Sequence, residues 1–335
     1  MKKILTTTAR LVSLALSSLV VNVADFKPAI AYDSSGKFDK SFSQAVYQNG
    51  ALKFTEDTKI EVRDFVPSND AQREQGLARL AKRGYSPIVA VGFMYGSALE
   101  KVAKQYPESQ FVIIDSVVDL PNVKSLLFKE HEGSFLVGAL AALKSESNKV
   151  GFVGGMDIPL IRKFACGYEQ GAKYVNNDAE VFQNMTGSTN AAWSDPARGA
   201  ELTKSQFTKG ADVVFAVPLA VQVQVFIKRQ KMKVNMLLVL TQTKMICTQE
   251  PMLTSMVKRV GLATYTVFQD AKDGNFTAGI ESKGLKEAGV DWALDEHNRG
   301  LVTAEMETEI NNIKTKIVAG EITVHDYMTD STCTY

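Results

Sequence analysis

Beyond residue 24 the chain alternates between short apolar runs rich in β-branched side chains and longer stretches in which apolar residues recur every three or four positions. The short runs predict strands at Lys27–Tyr32, Lys59–Phe65, Ile88–Gly92, Gln110–Asp115, Val123–Phe128, Lys149–Gly154, Ala179–Asn184 and Ala211–Ala216. The longer stretches predict helices at Phe38–Thr55, Asp70–Gly84, Tyr95–Tyr106, Glu132–Lys144 and Pro159–Val175, several with Gly or Asn near the C-terminal end. Strands alternating with helices call for an α/β fold with parallel sheets covered on both faces. So many units exceed one compact sheet, and two lobes are expected.

The opening MKKILTTTARLVSLALSSLVVNVADF breaks this pattern. Lys2, Lys3 and Arg10 precede an apolar run from Leu11 to Val23 and the small Ala24, the order of a secretory signal peptide over residues 1–24. The run is shorter than the roughly 20 residues that span a bilayer, so a transmembrane anchor is the weaker reading. No cysteine precedes Cys166, which leaves no site for lipid attachment. The expected product is a soluble periplasmic protein.

Composition narrows the partners. Lys+Arg 38 against Asp+Glu 37 gives a net charge of +1, too even for a protein that grips phosphate backbones, so nucleic acid is not an expected partner. Three cysteines and three histidines support neither a disulfide scaffold nor a metal cluster, and no cofactor is expected. Cys166, Cys247 and Cys333 make an odd count, so one stays free or pairs between chains. The 23 glycines leave a gap, with none between Gly210 and Gly261.

In parallel sheets, ligands bind beyond the carboxyl ends of the strands. Four segments put distinctive residues there: Asp33-Ser-Ser-Gly36, Gly92-Phe-Met-Tyr95, Asp115-Ser-Val-Val-Asp119 and Gly154-Gly-Met-Asp157. For any one of them alone ordinary turn chemistry is the stronger reading, since Gly, Asp and Ser are what such loops use.

Together the segments AYDSSGKFDKSFSQAVYQNGALKF, VVDLPNVKSLLFKEHEGSFLVGALAAL, KVGFVGGMDIPLIRKFACGYEQGAKY and LTSMVKRV resemble the basic membrane protein family of periplasmic substrate-binding proteins, relatives of the purine nucleoside receptor. The resemblance runs from about Lys27 to Tyr335 apart from one window. It implies a type I periplasmic-binding-protein fold: two Rossmann-like lobes with parallel sheets joined by three crossovers. Lobe one is expected over 25–125 plus 253–276, and lobe two over 126–252 plus 277–335. It also implies a monomer that captures a purine nucleoside or base and delivers it to an ABC transporter permease at the inner membrane. The implied ligand residues are Asp33, Phe42, Phe93 and Asp115 from lobe one, Phe164 and Trp193 as the opposite wall from lobe two, and Lys258, which matches a lysine of the family. Purines need aromatic faces to stack on, and ribose needs carboxylates to accept its hydroxyl protons. Core packing is the alternative role for Phe42 and Phe164, which lie on predicted helices. Trp193 sits in the polar loop GSTNAAWSDPARG, where a large ring wants a partner.

The chain departs from the family over residues 218–251. A glycine-rich AGG loop and a GVDS strand end are expected there, yet the stretch has no glycine and no aspartate. A shifted reading frame accounts for it. Codons ATG CTA TTG GTG TTG ACT CAA ACC AAA for Met236 to Lys244, regrouped from the third base, give GCT ATT GGT GTT GAC TCA AAC CAA, or AIGVDSNQ. The genetic code permits the same shift across the whole window. Thr241 then stands where the family has its ribose-binding aspartate. Cys247 would vanish with the shift, leaving Cys166 and Cys333 as an even pair able to form a disulfide.

Two other classes compete. Gly151-Phe-Val-Gly-Gly155 resembles a phosphate loop but lacks both common spacings, and His131, His297 and His325 lie far from any nucleophile motif. An enzyme, such as a nucleoside hydrolase, is therefore not expected. A type I binder of a sugar or another small polar ligand remains open, because fold alone does not name a ligand.

Overall fold

The computed structural model describes residues 26–39, 41–217, 237–241 and 252–333, the short third stretch as backbone. The expected signal peptide and most of the 218–251 window lie outside the described residues.

All eight expected strands form. They are β1 (Ala29–Ala31), β2 (Arg63–Phe65), β3 (Ile88–Ala90), β4 (Phe111–Ile114), β5 (Val123–Phe128), β6 (Lys149–Met156), β7 (Glu180–Gly187) and β8 (Val213–Val217). Four more follow: β9 (Leu237–Thr241), β10 (Met252–Lys258), β11 (Gly279–Lys283) and β12 (Val290–Trp292). One six-stranded sheet has the order β11-β5-β4-β3-β1-β2 and the other β12-β10-β9-β8-β6-β7. Every pairing is parallel except that of β12 with β10. Helices cover both faces, so central strands such as Ile88–Ala90 and Phe111–Ile114 are apolar throughout and fully buried.

The helices are α1 (Phe42–Val46), α2 (Lys53–Thr58), α3 (Ala71–Lys82), α4 (Gly96–Gln105), α5 (Glu130–Lys144), α6 (Pro159–Val175), α7 (Pro196–Thr208), α8 (Val260–Lys272) and α9 (Ala304–Ala319). A π-helical stretch, Tyr47–Leu52, joins α1 to α2. The pair begins at Phe42 and not at Phe38 because the Asp39 carboxylate accepts the backbone N–H groups of Ser41, Ser43 and Gln44 and so caps the helix. α5 starts two residues before its expected Glu132. Its stretch from Phe135 to Ala141 is buried on every side. It packs against α6 almost backbone to backbone: a methyl group added at Gly138 would stand 1.9 Å from the Tyr168 carbonyl oxygen.

The sheets correct the expected lobe boundaries in three places. β10 was expected in lobe one but pairs with β9 and β12 in the second sheet, and β11, expected in lobe two, pairs with β5 in the first. The expected break at residue 125 also cuts through β5, all of which belongs to the first sheet. Apolar patterning counts strands without showing which sheet each one joins, because pairing partners are remote in sequence. The chain passes between sheets after Phe128, after Lys258 and after Lys283.

The structure joins Cys166 on α6 to Cys333, with Cα atoms 5.3 Å apart. Residues near the tail dock beside this bond. Gln170 donates to the His325 carbonyl at 3.0 Å and accepts its N–H at 2.8 Å.

Candidate functional site

The carboxyl ends of the strands in both sheets face one cavity of about 320 Å³. All seven residues expected at the ligand site line it: Asp33, Phe42, Phe93 and Asp115 from the first sheet's side, and Phe164, Trp193 and Lys258 from the second's. Local backbone chemistry puts them there. Gly92 and Asp115, just past the ends of β3 and β4, both turn the chain with positive φ, +102° and +67°. Glycine adopts that conformation freely and aspartate tolerates it better than most residues. Asp33 lies past β1, its Oδ1 accepting the Ser35 N–H at 2.9 Å. The capped start of α1 presents Phe42.

Trp193 sits in a 3-10 turn, Asn190–Ser194, and its ring lies over Gly155, where a Cβ would come within 2.2 Å of the indole. The second glycine of GGMD is thereby explained as room for a tryptophan. Across the cleft, Phe93 meets Trp193 with ring centres 6.4 Å apart at 59°. Phe164 borders the cavity yet is 2% exposed and belongs to the main hydrophobic core, so packing dominates its role.

The electrostatic centre is a buried chain of alternating charges. The Lys258 ammonium lies 2.6 and 2.7 Å from the Asp115 oxygens and 2.7 Å from Glu130 Oε1. Glu130 Oε2 is 3.1 Å from the Lys163 ammonium, which also donates to the Phe128 carbonyl at 2.7 Å and lies 3.3 Å from Asp326 near the tail. Burial opposes ionisation of Glu130, but Lys258 and Lys163 outweigh it and hold its carboxyl down to about 2. Burial and the neighbouring Glu130 push Asp115 up, against the pull of Lys258. Lys258 is raised: burial disfavours its charge, and the two carboxylates more than compensate. The ammonium also lies 5.3 Å from the Phe42 ring centre and 5.0 Å from that of Phe128.

Beside this chain, burial and Lys163 hold the His131 imidazole neutral, its pKa pushed down to about 4 despite Asp326 at 3.5 Å. An unfolded chain takes up that proton near pH 6.5, so between 6.5 and about 4 the unfolded state binds a proton that the native state does not. His131 therefore lowers stability as pH falls through that window. The melting temperature of His131→Gln is expected to decline less steeply than the wild type's between those pH values. Parallel curves would remove His131 from the account.

Several residues at the cavity, or bonded to its lining, carried no sequence signal. Arg73 and Asp70 read as the solvated face of an amphipathic helix, but Arg73 is 4% exposed. Asp39 falls inside the predicted helix Phe38–Thr55 and turns out to be the cap that precedes the real one. Glu130 sits next to a predicted helix start and gives no hint of burial, although it is 1% exposed. β9 brings Thr241 opposite Val257, so the carboxyl end of this strand falls beside the cavity-lining Lys258. Among the described residues, no helix is long and apolar enough to cross a membrane.

Two six-stranded, mainly parallel sheets joined by three crossovers, with a cavity walled from both, define a type I periplasmic-binding protein. A model of the family Bmp, "ABC transporter substrate-binding protein PnrA-like", matches residues 27–327, and the chain belongs to that family. The ABC transporter nucleoside-binding protein BmpA of Lactococcus lactis subsp. cremoris is similar to it, 31% identical over 329 residues that cover 90% of this chain and 89% of the relative. The CD4+ T-cell-stimulating antigen of Listeria monocytogenes is 30% identical, covering 90% and 88%. Among solved structures, an ABC transporter solute-binding protein from Aeropyrum pernix K1 superposes with a TM-score of 0.76 at 27% identity, covering 89% of this chain and 92% of that one. The chain is thus an ABC transporter substrate-binding protein by family, which implies a permease partner and a small-molecule ligand.

Proposed function

We propose that the chain captures a purine nucleoside, or the free purine base, between its lobes and releases it unchanged to the permease. The observation that carries this reading is the convergence of aromatic rings from opposite lobes, Phe42 and Phe93 on one side and Trp193 on the other, with carboxylates at the strand ends between them. That is the chemistry a flat heteroaromatic ring on a hydroxylated sugar calls for. The name of the Lactococcus relative supports it. Residues 1–24 act as a signal peptide in this reading, and the mature protein works as a periplasmic monomer without cofactor or catalysis.

Calorimetry with inosine, guanosine, adenosine, free purines, ribose and galactose tests it. Purine compounds are expected to bind in preference to the sugars, and Trp193→Ala to weaken them by about 5- to 150-fold, since stacking on one aromatic ring is worth ~1–3 kcal/mol. Binding of sugars alone overturns the reading. Release of free base and ribose from inosine would assign an enzyme instead. Restoring the family frame across 218–251 is expected to tighten nucleoside binding, because it returns an aspartate to the end of β9 beside Lys258. Equal affinity for the two versions, or an unshifted gene sequence, removes the frame hypothesis.

A further inference from the structure

Four carboxylates and two cations border the cavity, and they differ in how far the chain already uses their hydrogen-bonding positions. Lys258 has three protons, and its contacts to Asp115 and Glu130 account for them. The Asp39 oxygens are held by three backbone amides. Arg73 differs. Its Nη1 donates to Asp70 at 2.5 Å, its Nη2 meets only the Met94 sulfur at 3.7 Å, and its Nε has no partner. The guanidinium is fixed 5.6 Å from the Tyr95 ring centre, and the residue is 4% exposed. Donors left unfilled in so buried a place are costly until an acceptor arrives.

We propose that Arg73 reads the acceptor edge of the ligand and makes the cleft selective for 6-oxopurine nucleosides over 6-aminopurine nucleosides. This rests on the nucleoside reading and narrows it. A guanidinium has five donors and no acceptor, and its fork matches two adjacent acceptors such as O6 and N7 of a 6-oxopurine. A 6-aminopurine puts an N–H donor where O6 would be, so donor faces donor. Asp33 complements this arrangement: Ser35 uses its Oδ1, and an oxygen remains for the ring N–H that the 6-oxo form carries beside its carbonyl and the 6-amino form lacks.

Calorimetry on the full chain with inosine, guanosine and adenosine tests the assignment. Inosine and guanosine are expected to bind about 10- to 100-fold more tightly than adenosine, the range of discrimination that a bidentate arginine gives. Arg73→Met should bring the ratio close to one, mainly by weakening inosine, whereas Arg73→Lys should keep part of it. Asp70 is exposed, so removing its partner strands no buried charge. Adenosine binding as tightly as inosine overturns the assignment on the unmutated protein alone, whether or not the variant folds. An unchanged ratio in a folded Arg73→Met does the same. If no purine nucleoside binds at all, this assignment and the nucleoside reading fall together, whereas indiscriminate purine binding sinks only this one.

Discussion

Replacing Lys258 by methionine is expected to lower the stability of the protein by about 3–5 kcal/mol, the usual cost of removing one partner from a buried ion pair. The side chain stays similar in size, so little packing is lost. What changes is that Asp115, with both oxygens on the Lys258 ammonium, loses its bonded cation, and Glu130 loses one of its two cations. Lys163 alone then faces both carboxylates. Deprived of compensation, the carboxyls can relieve the strain only by taking up protons. Urea denaturation of Lys258→Met should therefore show the deficit largest near neutral pH and shrinking as pH falls, because each bare buried carboxyl has a raised pKa and its penalty exists only above that value. Combining Lys258→Met with Asp115→Asn and Glu130→Gln should recover much of the loss. A deficit below about 1 kcal/mol at pH 7, on the scale of an exposed pair, would show that solvent reaches the cluster.

Second in size is the disulfide. Cys166 and Cys333 are 167 positions apart, and cross-linking so long a loop removes chain entropy from the unfolded state worth roughly 5 kcal/mol in the loop-closure model. The double variant Cys166→Ala/Cys333→Ala is expected to lose about 2–5 kcal/mol, and the oxidised wild type to lose a similar amount on adding reductant. The bond also anchors the segment that carries His325 and Asp326, so its loss frees Gln170 and removes the Asp326 carboxylate from Lys163. Unfolding curves with and without reductant measure the effect. Superimposable curves would mean that the tail stays docked without its covalent tie.

Much of this architecture was legible because parallel strands buried on both faces must be apolar along their whole length. Ile88–Ala90 and Phe111–Ile114 announce themselves in that way. Helix starts were harder to read where polarity does structural work: Asp39 moves the start of α1 to Phe42, and Glu130 and His131 lie inside α5 although their charges read as loop. Strand membership failed for β10 and β11, since sheet order depends on partners far away in sequence. The seven expected ligand residues do converge on one cavity, because each sits at a strand's carboxyl end, in the loop beyond it or on the helix that follows. Arg73 stayed hidden for the opposite reason. A charged residue in the polar run QREQ has every appearance of a solvated helix face, and only the third dimension shows α3 tucking it beneath Tyr95.

The threading of the chain between the sheets has a consequence for inheritance and assembly. Because β10, β11 and β12 are dealt alternately to the second, first and second sheets, no contiguous segment encodes either lobe. A gene fragment ending before β11 leaves the first sheet without an edge, and one beginning at β6 lacks β1 to β5. The lobes therefore cannot be exchanged between proteins as modules by a single recombination event. A nascent chain likewise cannot finish its first lobe until residue 283 has been made, so both halves of the cleft are completed almost together.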